Sequence, residues 1–356
     1  MIPKPSLPIL QKNPELLPFA KEISDFHYRY IGMGTYIKDT YGSIARFASA
    51  YSFFGFQRDD KAKSWIYREW APGAYQLWLS GDFNNWNRES HPMTKTGDGV
   101  WEIEIPDSAD QNLAHGQKVK VIVHARNGTL DRIPAWIRYT VQDEVTKDFA
   151  GMIWAPKKKF SFKYTFEFPA NTPLYIYEAH VGMAQETPGL GTYTQFKDLI
   201  LPRIKKAGYN CIQLMAIQEH PYYGSFGYHV SSFFAPSSRF GTPEELKELV
   251  DAAHGMGIAV IMDLVHSHAV KNIFEGLNEF DGTDHQYFRS GERGNHPGWD
   301  SKLFDYGKPE VLQFLLSNVR YWLEEFQFDG YRFDGVTSML YHNHGLSYTF
   351  DGLASY

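Results

Sequence analysis

The spacing of apolar residues changes once along the chain, from strict alternation to a succession of strands and helices. Between about residues 51 and 160, apolar and polar residues alternate in short segments such as 101–105 and 119–123, and Gly or Asn turn signals separate them. Beyond residue 172, apolar runs alternate with helical segments. Alternation at period two predicts antiparallel strands, whereas strand–helix units predict a parallel sheet. The sequence therefore predicts two different domains in one chain.

The predicted organisation has three parts. They are a helical lead-in at residues 1–50, an immunoglobulin-like β-sandwich at 51–165, and the N-terminal half of a (β/α)8 (TIM) barrel at 166–356. Within the lead-in, a helix is predicted over 15–30, because Gly32, Gly34 and Gly42 interrupt the periodicity after it.

The barrel region is predicted to contain only the first four strands of a barrel that needs eight. Buried strands are predicted at 174–177, 211–215, 258–262 and 328–333, and helices at 194–207, 242–255 and 309–326. No glycine-rich phosphate loop follows the first of these strands, which argues against a nucleotide-binding sheet.

Composition narrows the class of protein. The formal net charge of −6 gives no broad basic surface for nucleic acid or an anionic membrane. Cys211 is the single cysteine, so no intramolecular disulfide can form, and a reducing, cytoplasmic location is expected. No signal peptide and no long apolar run are visible. Aromatic residues make up 16% of the chain, which fits either a large core or stacking surfaces for sugars.

Charged residues follow the predicted barrel strands, at the end where barrel active sites lie. Asp263 ends the third strand, and Arg332 and Asp334 lie two residues apart at the fourth. Alternate residues of a strand share a face, and an arginine beside a carboxylate favours the ionised form that a nucleophile requires. A plain structural ion pair is the alternative reading of this pair.

The pair His266 and His268 has the spacing of zinc ligands in some barrel hydrolases, and hydrogen bonding explains it equally well. His342 and His344 come too far after the fourth strand to complete a metal site. We therefore predict no metal and no other cofactor.

Several stretches together resemble the α-amylase superfamily, and within it the eukaryotic-type glycogen and starch branching enzymes. The stretches that resemble the superfamily signatures are Asp-Leu-Val-His-Ser-His at 263–268 and Gly-Tyr-Arg-Phe-Asp-Gly at 330–335. The stretches that resemble branching enzymes lie at 176–182, 209–215 and 228–241. Two further stretches resemble the glycogen-binding (CBM48-like) module that precedes such barrels: Glu-Trp-Ala-Pro-Gly-Ala at 69–74 and Gly-Asp-Phe-Asn-Asn-Trp at 81–86.

The resemblance implies a role for each barrel residue. Asp334 would be the nucleophile that forms a covalent glucosyl intermediate, Arg332 would keep it ionised, and Asp263 would support Arg332. His268 would bond sugar hydroxyls, and Tyr228 would stack under the same sugar.

The resemblance also implies glucan contacts in the sandwich and a departure at the calcium position. Trp86, Lys95 and Trp101 would meet a glucan chain, although the alternating strand around Trp101 equally fits a core position. Many relatives have an asparagine calcium ligand where this chain has Ser267, so no structural calcium is expected.

The implied function is α-1,4-glucan branching: cleavage of an α-1,4 bond and transfer of the chain to a 6-hydroxyl group. The general-acid glutamate and third carboxylate of the family follow strands five and seven, so neither is expected in this chain, and Glu324 and Glu325 lie on a helix and cannot replace them. The chain alone is therefore expected to be inactive. A glucan-binding protein without catalysis and an α-glucan hydrolase are the alternatives, and a metal hydrolase is a more distant one.

Overall fold

The computed structural model describes residues 7–108, 113–341, 344–346 and 349. The lead-in contains α1 (Pro8–Lys12), α2 (Ala20–Tyr41) and α3 (Ile44–Phe47), with 3-10 turns at Pro14–Phe19 and Ala50–Ser52. The predicted end of the helix near residue 30 is wrong, because α2 continues through Gly32 and Gly34. An isolated helical glycine costs only about 1 kcal/mol. Gly42 does end the helix, since its φ of +79° is left-handed and its N–H bonds Lys38 O.

Within the residues that the structure describes, nine strands form the predicted sandwich. They are β1 (Gly55–Asp59), β2 (Ser64–Trp70), β3 (Gln76–Gly81), β4 (Thr94–Gly97), β5 (Val100–Pro106), β6 (Lys118–Ala125), β7 (Gly128–Arg132), β8 (Thr140–Gln142) and β9 (Phe149–Met152). One sheet has the order β1-β2-β5-β4 and the other β3-β6-β9-β8, with β7 also paired to β6. All of these pairs are antiparallel, as the alternating pattern predicts.

The second region contains the predicted parallel sheet, with the order β10-β11-β14-β18. Its strands are β10 (Ile176–Ala179), β11 (Cys211–Leu214), β14 (Ala259–Leu264) and β18 (Gly330–Phe333); short strands in the loops are β12 (Gln218–Glu219), β13 (Ser232–Pro236), β15 (Ala269–Val270), β16 (Asn295–His296) and β17 (Ser301–Lys302). The helices are α4 (Tyr193–Gln195), which continues through a π-turn at Phe196–Ile200 into α5 (Leu201–Lys206), then α6 (Pro243–Gly255), α7 (Pro309–Phe326) and α8 (Val336–Leu340). This strand order confirms a partial (β/α) barrel.

The four barrel strands are not equally buried, contrary to the prediction. β11 and β14 lie inside the sheet and are almost wholly buried. β10 and β18 are the outer strands, and large side chains on them are accessible, including Ile176 at 42% and Phe333 at 41%. The apolar runs of the outer strands are those of a buried sheet, but within the described residues each has a neighbouring strand on one side only.

The sandwich packs directly on the barrel helices. The Trp136 ring stacks on Phe54 on one side and on Phe234 of β13 on the other, and it meets Phe314 of α7 edge-on. The guanidinium of Arg132 is buried and donates to backbone carbonyls of the loop at 276–279. The two regions thus share one core. Among the described residues, no helix combines the length and apolar character needed to cross a bilayer.

Candidate functional site: an arginine between two carboxylates

The C-terminal ends of β14 and β18 bring three charged side chains together. Asp263 and Arg332 are direct partners in the parallel pairing of these strands. The Arg332 Nη1 donates to Asp263 Oδ2 at 3.0 Å and to Asp334 Oδ1 at 2.8 Å. Asp334 follows β18, and its backbone N–H donates to Leu264 O at 3.0 Å, which extends the pairing to this residue. The strand spacing therefore places Arg332 and Asp334 together, as predicted.

The three groups differ in their exposure to solvent. The Asp263 side chain is fully buried, whereas the side chains of Arg332 and Asp334 are 45% and 21% exposed. Burial raises the pKa of Asp263, and the hydrogen bond from Tyr228 and the charge of Arg332 oppose this rise. Burial acts to lower the pKa of Arg332, but the two carboxylates more than offset it and raise that pKa. Arg332 therefore stays charged and donates to Asp334, two residues further along the same segment.

Tyr228 lies in the loop before β13 and reaches the same cluster. Its hydroxyl donates to Asp263 Oδ2 at 2.6 Å. Burial and the Asp263 carboxylate both raise the pKa of this phenol, so it remains a donor at neutral pH. The structure thus holds Tyr228 beside the charged cluster. Its stacking under a sugar stays a prediction.

His268 is buried and bonded to the protein through both ring nitrogens. Its Nε2 lies 2.8 Å from Tyr228 O, and its Nδ1 lies 2.9 Å from Ser267 Oγ. Burial lowers the pKa of His268 to about 4, so the ring is neutral at neutral pH. In this arrangement His268 positions the backbone of Tyr228. The predicted bond from His268 to a sugar hydroxyl would first require one of these contacts to break.

The His-x-His pair points in two directions. His266 is fully buried, and its Nε2 lies 2.9 Å from Asn318 Oδ1 on α7, while His268 faces the Tyr228 loop. In the part of the chain that the structure describes, no group of three or more His, Cys, Asp or Glu side chains is arranged to hold a metal ion. His344 lies beside His296, with ring centroids 5.1 Å apart, and His342 falls outside the described residues. The two histidines of the pair therefore serve as hydrogen-bonding partners in this structure.

Ser267, at the position of the expected calcium ligand, is hydrogen-bonded within the protein. The Ser267 hydroxyl is buried against the His268 ring, and the backbone carbonyl oxygens of His266 and Ser267 both accept from Tyr306 Oη. A calcium ion needs six to eight oxygen ligands. The absence of a structural calcium ion stays a prediction.

Trp86 has the exposed ring that the sandwich prediction requires. It lies in the turn after β3, has a φ of +60°, and leaves 39% of its surface accessible. Its Nε1 donates to Asp82 Oδ1 at 2.9 Å, and the other oxygen of Asp82 accepts from Lys118 N at 2.7 Å. The ring is thus held by its edge while a face remains available for stacking.

The glucan contact predicted for Trp101 is wrong. Its inward position on β5 leaves the ring only 3% exposed, and its Nε1 donates to Ala71 O at 2.9 Å. Trp101 is a core residue, which is the alternative that the alternating strand allowed. Lys95 is exposed on β4, where its Nζ lies 5.4 Å from the Trp101 ring centroid and 3.3 Å from Pro72 O. A glucan contact by Lys95 stays a prediction.

Comparison with known proteins shows which families the chain resembles. Family profiles match carbohydrate-binding module 48 (isoamylase N-terminal domain) at residues 53–137 and the alpha amylase catalytic domain at residues 199–303. The chain is 50% identical to a 1,4-alpha-glucan-branching enzyme of Dictyostelium discoideum over 95% of this chain, and 51% identical to one of Yarrowia lipolytica over 98%. This chain is homologous to the 1,4-alpha-glucan-branching enzymes. It spans about half the length of these relatives, at 50% and 51% of their sequences.

Solved structures of lower identity share the fold of this chain. The catalytic module of a glycogen-degrading pneumococcal virulence factor superposes with a TM-score of 0.67 at 17% identity, covering 82% of this chain and 48% of that one. A putative alpha amylase from Salmonella typhimurium gives a TM-score of 0.62 at 20% identity, covering 80% of this chain and 44% of its own. These likenesses support the sandwich followed by a partial barrel.

Two polar residues of the site were missed from the sequence. Gln213 on β11 donates through Nε2 to Asp263 Oδ1 at 2.8 Å and to Glu178 Oε1 on β10 at 2.9 Å. A row of polar groups thus crosses all four parallel strands and ends at Arg332. The available signal was one polar residue inside each of two apolar strands, but only the strand register shows that they meet.

Trp299 was also missed, because it lies in the long loop between β15 and α7. Its ring stacks on His296 at 3.9 Å between centroids and is tilted against His268 at 5.0 Å. Gly335, directly after Asp334, has a φ of +64°, and a Cβ there would lie 2.5 Å from Ser267 Oγ and 2.9 Å from the Trp299 ring. The backbone beside Asp334 is therefore tightly enclosed, and no short motif indicates this.

Proposed function

We propose that this chain forms part of a 1,4-α-glucan-branching enzyme with Asp334 as its nucleophile. The observation that carries the proposal is Arg332, which bonds both the buried Asp263 and the accessible Asp334. These groups lie at the C-terminal ends of parallel strands, where barrel enzymes hold their catalytic residues. The relatives named 1,4-alpha-glucan-branching enzymes supply the reaction class.

In the proposed reaction, an Asp334 oxygen attacks the anomeric carbon of an α-1,4-linked glucose. The bond from that carbon to the glycosidic oxygen breaks, and the departing oxygen takes a proton from a general acid. A 6-hydroxyl group of an acceptor chain then attacks the glucosyl ester, loses its proton to the same residue, and restores the Asp334 carboxylate. Net retention at the anomeric carbon results from the two displacements.

Each neighbouring residue has a stated task. Arg332 donates a hydrogen bond to the nucleophile and holds its carboxylate in place, and Asp263 fixes the position of Arg332. The Tyr228 hydroxyl completes the bonding of Asp263. Retaining chemistry requires a second carboxyl group about 5–5.5 Å from the nucleophile. The family resemblance assigns that acid to a glutamate after a fifth strand, and the four parallel strands described here do not include it.

A chimeric enzyme tests the proposal. Residues 1–356 would be joined to the part of the Dictyostelium discoideum enzyme that this chain does not cover, and the product would be incubated with amylose. We expect a fall in iodine staining and new α-1,6 links, and we expect neither from the Asp334→Asn variant. Shorter chains without new α-1,6 links would indicate the hydrolase alternative. Full branching by Asp334→Asn would contradict the proposed nucleophile.

A second candidate function is glucan binding by the sandwich itself, which the exposed Trp86 ring favours. A stacking ring with a hydrogen-bonded edge is a common element of sugar sites. This function does not need the barrel chemistry and is compatible with it. The absence of nucleic-acid and membrane partners and the cytoplasmic location remain proposals based on composition and charge.

A further inference from the structure

A cleft with a volume of about 750 Å³ lies at one side of the junction between the sandwich and the barrel helices. Its walls are β1 and β2 of the sandwich, the segment at 152–162, the start of α6 and the end of α7. The volume falls in the range of roughly 300–1,000 Å³ that small-molecule sites occupy. The cleft uses none of the residues assigned above to the nucleophile cluster, and Trp86 does not line it.

The carboxylates of the cleft are already hydrogen-bonded. Glu244 accepts from Trp154 Nε1 at 2.6 Å, Glu325 pairs with Lys247, and Glu324 accepts from Arg320 Nε at 2.7 Å. Each carboxylate has further lone pairs that can accept from a ligand. These bonds fix the acceptors in place without using their full capacity.

The cationic side chains of the cleft, unlike its carboxylates, have few hydrogen bonds within the protein. Lys157 and Lys159 are exposed, and neither has a hydrogen bond or ion pair with any described residue. Arg138 has one such hydrogen bond, from Nη2 to Tyr51 O at 3.1 Å. The cleft therefore presents free donors beside fixed acceptors. Its charges are mixed in sign, so no single-sign field selects an anion.

Aromatic rings complete the walls. Phe160 is half-buried and meets Phe162 edge-on, and Trp154 is half-buried and tilted against Tyr139. Aromatic faces pack against the C–H faces of a pyranose, while charged and amide groups bond its hydroxyls. A neutral ligand with many hydroxyl groups fits this combination better than a phosphate or a purely apolar molecule.

We propose that this cleft binds a segment of an α-1,4-glucan chain where the sandwich meets the barrel. The inference rests on the proposed function, which supplies the glucan, and it adds a contact remote from both Trp86 and Asp334. Lys157 and Lys159 donate to sugar hydroxyls, Glu244 accepts from them, and Phe160 packs against a ring. A chain held there ties the binding module to the catalytic barrel.

The test measures maltoheptaose binding by calorimetry, using the 356-residue chain with Trp86→Ala to remove the sandwich contact. Lys157→Ala combined with Lys159→Ala should weaken binding about tenfold, since each lost hydrogen bond costs roughly 0.5–1.5 kcal/mol. Lys158→Ala is the matched control, because Lys158 is an exposed neighbour that does not line the cleft, and it should leave binding unchanged. Phe160→Ala, checked for folding by thermal unfolding, should also weaken binding.

The outcomes separate the inference from the proposed function. Equal affinity of the parent, the double variant and Phe160→Ala would overturn the cleft proposal while leaving the branching function intact. Displacement of maltoheptaose by inorganic phosphate, dependent on Lys157 and Lys159, would also overturn it and show an anion site. Loss of branching by the chimeric enzyme described above would instead contradict the function itself.

Discussion

Asp263 and Arg332 are register partners on adjacent parallel strands, and the guanidinium of Arg332 donates to the Asp263 carboxylate at 3.0 Å. The same Nη1 atom also donates to Asp334. A fully buried carboxylate thus fixes a half-exposed arginine, which in turn faces the proposed nucleophile. Removing the arginine would leave a buried charge without its partner, which is strongly unfavourable.

Replacing Arg332 tests the importance of this arrangement for catalysis. In the chimeric enzyme, Arg332→Ala should lower kcat by roughly 10²–10⁴-fold, because two charge-assisted hydrogen bonds of about 1.5–3 kcal/mol each are lost. Steady-state kinetics on amylose would measure the change. Arg203→Ala is the control and should keep nearly full activity, because this exposed arginine of α5 pairs with Glu186 and not with the cluster. An Arg332→Ala enzyme within a few-fold of the parent would show that the pair is only structural.

Trp86 should dominate glucan binding by the sandwich. Trp86→Ala in the 356-residue chain should weaken the affinity for glycogen about tenfold, because one stacking ring contributes roughly 1.4 kcal/mol. Reduced retardation in glycogen gels would measure the change. Tyr75→Ala is a suitable control, since Tyr75 is 63% exposed and lies at the other end of β3. Equal loss in both variants would mean that aromatic exposure alone, and not the position of Trp86, governs binding.

The buried histidines should make folding stability depend on pH. Burial lowers the pKa of His266 and of His268 to about 4, from 6.5 for an ordinary histidine. The unfolded chain therefore binds the proton more tightly, so this stability is complete above pH 6.5 and declines as the pH falls toward 4. At pH 5 each buried imidazole lowers the free energy of unfolding by roughly 2 kcal/mol, since one pKa unit corresponds to about 1.36 kcal/mol.

Urea unfolding of the parent and of His266→Gln at pH 7.5 and pH 5 checks this prediction. From pH 7.5 to pH 5, the free energy of unfolding of the variant should fall by roughly 2 kcal/mol less than that of the parent. The comparison between proteins is needed because Glu69, whose pKa burial raises to about 7, gives the opposite slope in both. Equal losses in the two proteins would contradict a neutral, buried His266.

The elements whose ends carry clear sequence signals are the ones that the sequence predicts accurately. The α7 prediction at 309–326 matches the structure, because Pro309 fits the first helical position and Gln327 ends the helix with a left-handed φ of +54°. The first barrel strand was predicted two residues early, at 174–177, whereas β10 covers Ile176–Ala179. An apolar run gives the presence of a strand but leaves its first and last residues open.

In the candidate site too, contacts within one strand could be predicted from the sequence, whereas contacts between separate segments could not. The spacing of Arg332 and Asp334 on one strand was enough to predict that they share a face. Contacts between Gln213 and Asp263 depend on the pairing of two separate strands, which the sequence does not encode locally. The partners of His268 depend on how a loop folds over it, so its bond to the Tyr228 backbone could not be predicted from the motif.

The 356-residue chain by itself should show no branching activity. General-acid assistance is worth about 10²–10⁴-fold, and the proposal assigns that acid to a strand that the described sheet does not include. The purified chain would be incubated with amylose and assayed by iodine staining and by counting α-1,6 links. Robust branching, in a preparation free of host enzyme, would show that the chain carries its own acid.

The most direct test of the account is the covalent intermediate on Asp334. A 5-fluoro-α-glucosyl fluoride needs little acid help to lose fluoride, and its ring fluorine slows turnover, so the glucosyl ester accumulates. The chimeric enzyme would be treated with this reagent, digested at low pH, and analysed by mass spectrometry. The account predicts a glucosyl adduct on the peptide that contains Asp334, and no adduct in the Asp334→Asn variant. An adduct on another carboxylate, with Asp334 unmodified, would contradict it.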